Sequence, residues 1–195
     1  MTVLAILIIA FVLSAPASRA QDTNQLAITY FNRAFEENRM GEHQAAIFYY
    51  NETIRLKPDF QEAYASRADA YEGLASLNSE LRQRLRQYGK AISDRLEAMR
   101  LMYNRTALHE HLTEGLALSR TYYERGMTYF ELKQYDQAIS DYSHAIRLNS
   151  NPPAAIDLYT SRGNAYSAIG NAKAADADFE TVKRLAAQWR GHSSR

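Results

Sequence analysis

One pattern recurs four times along this chain and restricts the possible folds more than any other feature. It opens with Tyr-x-x-Arg followed by Ala or Gly: Tyr30 to Ala34, Tyr64 to Ala68, Tyr122 to Gly126 and Tyr159 to Gly163. Its second half is clearest from Leu132 to Leu148. There Tyr135, Ala138, Ile139, Tyr142, Ala145, Ile146 and Leu148 recur at steps of three and four, the spacing of one apolar helix face. Ala138 and Ala145 are small members of that stripe, so a second helix backbone can approach closely while tyrosines fill the space beside them.

The other copies align with this one in step. Ala46 matches Ala138, Tyr50 matches Tyr142 and Leu56 matches Leu148. The remaining second halves run from Leu85 to Asp94 and from Ile169 to Asp176. Pro58, Pro152 and Pro153 all fall at the ends of copies, where proline stops a helix or restarts the chain without a donor.

These residues resemble the tetratricopeptide repeat (TPR) family, whose unit is about 34 residues folded as antiparallel helices A and B. Copy one supplies Tyr30, Ala34, Ala46, Tyr50, Thr53 and Pro58, with Glu37 where the family has Tyr. Copy three supplies Tyr122, Gly126, Tyr129, Ala138, Tyr142 and Ala145, and copy four Tyr159, Gly163, Tyr166, Ala175, Phe179 and Val182. Copy two supplies Tyr64, Ala68, Tyr71, Ala91 and Ala98, with Arg95 where an aromatic is usual. The resemblance implies an all-α, right-handed superhelical solenoid of about four helix-turn-helix units, because one helical pair cannot bury its apolar face alone. Copies are expected at about 27–60, 61–105, 119–152 and 156–189 of a repeat domain spanning 21–190, with 191–195 a disordered tail. The four recurrent arginines (Arg33, Arg67, Arg125 and Arg162) are expected to lay their stems along a neighbouring helix.

Two insertions break the period. From Tyr71 to Tyr88 is 17 residues, against 6 from Tyr129 to Tyr135. The 11-residue excess is close to three helical turns, and Leu74, Leu77, Leu81 and Leu85 carry the stripe through it. An extended helix A in copy two is therefore expected, the competing arrangement being a break at the capping pair Asn78-Ser79. The second insertion, about Thr106 to Leu118, places Leu108, Leu112 and Leu116 at steps of four and reads as an extension of helix A of copy three, or a short extra helix.

Residues 1–20 differ from the rest. Val3 to Leu13 is an unbroken apolar run, followed by Pro16 and then Ser18-Arg19-Ala20. That describes a secretory leader cut after Ala20, hence a periplasmic or secreted protein, although no Lys or Arg precedes the run. The alternative is an uncleaved membrane anchor, but the run is shorter than the roughly 20 residues a span takes.

Composition narrows the chemistry. The 23 Lys and Arg against 22 Asp and Glu give no basic excess for nucleic-acid binding. There is no cysteine, so neither a disulfide framework nor a thiolate site exists. His109, Glu110, His111 and Glu114 lack the spacing of a zinc helix and are expected on a solvated face. Arg82, Arg84, Arg86, Lys90 and Arg95 are likewise expected on a solvated face rather than as a site for an acidic partner or lipid. Two glycosylation-like triplets begin at Asn51 and Asn104, the first inside an expected helix. No phosphate loop, nucleophile elbow or paired catalytic carboxylates are visible, so a non-enzymatic protein without cofactor or metal is expected.

In the family the groove is lined by inward-facing places of the A helices. Carried over to this sequence they give a partner-binding groove of Phe31, Phe35, Arg39, Asp69, Tyr123, Met127, Phe130 and Asn164. Members that clamp a peptide's C-terminal carboxylate use Lys and Asn where this chain has Phe31 and Phe35, so that clamp is not expected here. The apolar side chains suit instead an apolar peptide or helix of a partner protein. The second expectation is a self-associating envelope protein, a homodimer formed through Val182, Leu185 and Trp189 at the C-terminal end face.

Overall fold

The computed structural model describes the backbone of residues 2–102, 108–149 and 152–193, and the side chains of 20–102, 111–149 and 153–190. It consists of eight helices among those residues: α1 (Thr2–Arg39), α2 (His43–Leu56), α3 (Gln61–Ser76), α4 (Leu81–Met102), α5 (Leu108–Glu131), α6 (Tyr135–Leu148), α7 (Pro152–Ala168) and α8 (Ala172–Ser193). They pair as α1/α2, α3/α4, α5/α6 and α7/α8, and each pair stacks on the next. This is the all-α solenoid of helical pairs that the periodicity implies. Among the described residues no helix is long and apolar enough to cross a membrane.

Each pair closes on small residues. Ala34, Ala46, Ala68, Ala91 and Ala138 are fully buried and Ala175 nearly so. Where the opening motif ends in Gly instead of Ala, an aromatic ring of helix B lies on the bare backbone. A Cβ on Gly126 would stand 2.8 Å from the Tyr142 ring, and one on Gly163 would stand 2.7 Å from the Phe179 ring. Tyr50 and Tyr142 are themselves buried. A larger side chain at these places would push the two helices apart.

Pairs one, three and four share one turn. Gly41, Lys133 and Gly170 occupy the same place in their copies, and all take positive φ, 82°, 59° and 76°. The amides of Glu42, Gln134 and Asn171 donate back to the carbonyls of Glu37, Tyr129 and Tyr166, all at 2.9 Å. That is the six-to-one closure of a helix ending in a left-handed residue.

Copy two has lost this turn to its insertion. The expected continuous extension of its helix A is not what forms. The chain breaks at Leu77–Glu80, and the excess is shared between the two helices. Helix α3 runs three residues further past Tyr71 than α5 runs past Tyr129, and α4 begins seven residues before Tyr88. Asn78 Oδ1 accepts from the Glu80 amide at 3.0 Å, a local bond that competes with helix continuation. The leucine stripe does not hold across the break, since Leu77 is 73% exposed. The second insertion does lengthen α5, which begins at Leu108; the expected cap Thr106 lies outside the described residues.

The recurrent arginines join helices rather than merely covering them. Arg67, Arg125 and Arg162 each grip one aspartate of helix B with two nitrogens: Asp94 at 2.8 and 2.7 Å, Asp141 at 2.7 and 2.8 Å, Asp178 at 2.9 and 2.7 Å. Tyr rings one turn before the arginine, and in copies three and four also one turn after it, lie 5.4–5.8 Å from the guanidinium carbon. Two of these arginines also reach back to the preceding pair, Arg67 to Asn51 at 2.6 Å and Arg162 to Ser143 at 3.0 Å. Copy one has Tyr49 in place of the aspartate, and its Arg33 pairs with Glu37 on its own helix. Asp178→Ala should lower the unfolding free energy by about 2–3 kcal/mol, because it strips a largely buried arginine of its partner. Lys183→Ala, which removes an exposed pair with Glu180, should leave it essentially unchanged; urea titration of both variants checks the contrast.

Candidate functional site

Two cavities lie side by side between α5 and α7, the A helices of the last two pairs. The first, ≈ 290 Å³, is lined by Leu116, Ser119, Arg120, Tyr123, Asn149, Ala154, Asp157 and Leu158. The second, ≈ 150 Å³, is lined by Met127, Phe130, Glu131, Tyr142, Ser161 and Asn164. Small-molecule pockets start at about 300 Å³, so each of these suits one anchoring side chain better than a whole ligand. The centre of the first lies about ten residues before that of the second on α5 and about six residues before it on α7, roughly 9–15 Å along helices rising about 1.5 Å per residue.

The residues expected in the groove divide into four groups. Tyr123, Met127, Phe130 and Asn164 line these cavities, Tyr123 in the first and the other three in the second. Phe31 is taken up by the core, stacked on the Phe60 ring at 4.9 Å and tilted against Tyr50. Phe35 is exposed on α1, and Arg39 pairs with Glu36 of its own helix. Asp69 is bound to Arg95 at 2.6 Å.

Arg95 departs furthest from its expected place. It is 4% exposed, not part of a solvated charged face. It fills the position occupied by Tyr50, Tyr142 and Phe179 in the other copies. Its Nε and Nη2 reach Glu72 Oε1, both at 2.9 Å, its Nη1 reaches Glu114 at 2.9 Å, its Nη2 reaches Asp69, and its Nε also donates to the Thr121 hydroxyl at 3.1 Å. Burial opposes its charge, but Glu72, Asp69 and Glu114 outweigh that cost and hold the guanidinium pKa above its ordinary value. Glu114, also expected in solvent, is buried at this cluster and ties the added turns of α5 to α4. The signal that could have found it was the misfit itself: an arginine at a buried aromatic place must bring its own carboxylates.

The rest of the basic run on α4 behaves as a surface. Arg82, Arg86 and Lys90 are exposed, Lys90 lies 5.0 Å from the Tyr71 ring, and Arg84 reaches Glu131 of α5 at 3.0 Å. Among the described residues no group of three or more His, Asp or Glu side chains is placed to hold a metal ion; His109 and Glu110 lie outside the described side chains. At the far end of the stack Trp189 is half exposed, with Val182 and Leu185 half-buried.

Arg95→Tyr would install the residue type that the repeat pattern favours. It should nevertheless lower the unfolding free energy by about 3 kcal/mol or more, since three carboxylates lose their common cation. Adding Glu72→Gln and Glu114→Gln should recover part of the loss. Urea unfolding of the three variants tests this; an Arg95→Tyr protein as stable as the parent would show that the cluster contributes nothing.

Comparison with known proteins bears on the fold. No curated protein sequence matches the chain. Among solved structures, BtubC (BKLC) from P. vanneervenii is similar at 19% identity and a TM-score of 0.50, over 87% of this chain and 66% of that one. TTC0263, a thermophilic TPR protein in Thermus thermophilus, is 16% identical with a TM-score of 0.40, over 86% of this chain and 91% of that one. YrrB, described as a TPR protein with an unusual peptide-binding site, is 14% identical with a TM-score of 0.36, over 87% of this chain and 91% of that one. Models of the tetratricopeptide repeat match residues 119–152, 27–60 and 156–188, together just over half of the 195 residues. With the small-residue contacts and the shared left-handed turn repeated at the same places, the chain belongs to the tetratricopeptide repeat family.

Proposed function

We propose that this protein is a non-enzymatic scaffold that holds an apolar segment of a partner protein across the two cavities between α5 and α7. The paired cavities carry this reading. A tetratricopeptide stack is a protein-interaction scaffold by its architecture, because stacked A helices present one continuous surface to a peptide or helix. Here that surface has two small, mostly apolar recesses with polar rims, Leu116 and Tyr123 in one and Met127 and Phe130 in the other. Anchors entering both would stand roughly 9–15 Å apart, which is about i and i+7 to i+10 on a helical segment or i and i+3 to i+4 on an extended one.

Peptides selected from a random display library on the full chain should carry two apolar residues at one of those spacings. Leu116→Gln and Met127→Gln each alter one recess at a partly exposed position. Each should weaken the selected peptides by about tenfold, close to 1.4 kcal/mol, while Phe35→Gln leaves affinity unchanged in fluorescence anisotropy. Peptides indifferent to Leu116 and Met127 would remove the groove reading.

We also propose that residues 1–20 are a secretory leader, on the strength of the apolar run and the Ser18-Arg19-Ala20 cut site. N-terminal sequencing of protein recovered from the exported fraction of its cells should begin at Gln21. An intact Met1 in that fraction would favour the anchor.

A further inference from the structure

The A helices are not alike in what they present. On α5, Tyr123, Met127 and Phe130 face the cavities. The neighbouring A helix, α3, carries Glu62, Ala65, Asp69, Glu72 and Gly73 at the corresponding places. It offers no large apolar anchor, and three of the five are carboxylates. Glu62 and Asp69 are exposed and Glu72 is half-buried.

Arg95 does not cancel that charge. It meets Asp69, Glu72 and Glu114 through a single oxygen of each, Oδ1, Oε1 and Oε1. One guanidinium among three carboxylates leaves the cluster with a net negative charge. The recurrent Arg–Asp pairs are different, since Asp94, Asp141 and Asp178 each offer both oxygens to one arginine and balance it. A further carboxylate, Asp157, stands at the rim of the first cavity, while Glu131 at the second is balanced by Arg84. Among the described residues the basic groups on these faces are fewer: Arg120 at the first cavity, whose charge also reaches Asp69, Arg84 already bound to Glu131, and Arg39 bound to Glu36.

We infer that the occupant of the α5–α7 groove is a basic, amphipathic protein segment, two apolar anchors flanked by Lys or Arg on the side that faces α3. This rests on the groove reading above. Like charges across a contact oppose association, so an acidic segment with the same anchors is excluded by the α3 ridge rather than by shape.

Two synthetic helical peptides separate the ideas. Both carry two leucines seven residues apart; one has lysines and the other glutamates on the flanking positions. In fluorescence anisotropy with the full chain, the lysine peptide should bind at least about tenfold more tightly than the glutamate peptide, and the gap should narrow as salt rises. Asp69→Asn with Glu62→Gln, both exposed positions, should weaken the lysine peptide about threefold to tenfold and leave the glutamate peptide no weaker. Leu116→Gln should weaken whichever peptide binds. Equal binding of both peptides, lost in Leu116→Gln, would overturn the charge inference and leave the groove reading standing. A lysine preference untouched by Leu116→Gln would overturn the groove reading and this inference with it. Failure of both peptides to bind, or tighter binding of the glutamate peptide, would also overturn the inference.

Discussion

The structure depends on the close approach of helix A to helix B at two small residues in every pair. Ala34 and Ala46, Ala68 and Ala91, Gly126 and Ala138, Gly163 and Ala175 all sit in buried contacts. Because no side chain intervenes, an aromatic ring of helix B can drop onto the opposite backbone, as Tyr142 does on Gly126 and Phe179 on Gly163. In copies two to four that geometry brings the recurrent arginine within reach of the helix-B aspartate, and the bidentate pair then fixes the crossing. Helix spacing and ion pair are consequences of one steric constraint, repeated along the stack.

Copy two shows how much departure the constraint tolerates. It keeps Ala68, Ala91 and the Arg67–Asp94 pair, so its helices still meet as the others do. Around that fixed contact it changes the turn, lengthens both helices and exchanges a buried ring for Arg95. The exchange is possible because α5 was lengthened as well. Glu114 lies on the added turns, and without it the buried guanidinium would lose its most enclosed carboxylate. The second insertion therefore completes the first, and the two irregular segments act as one feature. In the function proposed above, its contribution to recognition is electrostatic: the cluster holds an acidic ridge beside the apolar recesses of α5.

In the function proposed above, recognition is divided between shape and charge. The recesses between α5 and α7 would take anchoring side chains, where desolvated contacts concentrate binding energy. The α3 ridge offers little apolar area and would discriminate by sign. The first pair contributes less to this surface than its phenylalanines suggest, because Phe31 stacks on Phe60 and belongs to the core.

The chain by itself determined the repeat, the helical pairs, the small-residue contacts and the family, since all of these follow from side-chain size and spacing along one helix. Half of the residues expected in the groove, Tyr123, Met127, Phe130 and Asn164, line the two cavities, and their places were legible in the same way, as positions in a period. Only the tertiary structure decided that Phe31 packs against the core, that the insertion breaks at Leu77–Glu80, and that Arg95 and Glu114 lie inside. Phe31 and Arg95 depend on partners far along the chain, Phe60 and Glu114, and periodicity within one helix carries no record of which distant residue comes to meet it. The break is local: the Asn78 side-chain carbonyl that accepts from the Glu80 amide competes with helix continuation, and the leucine spacing alone does not show which wins.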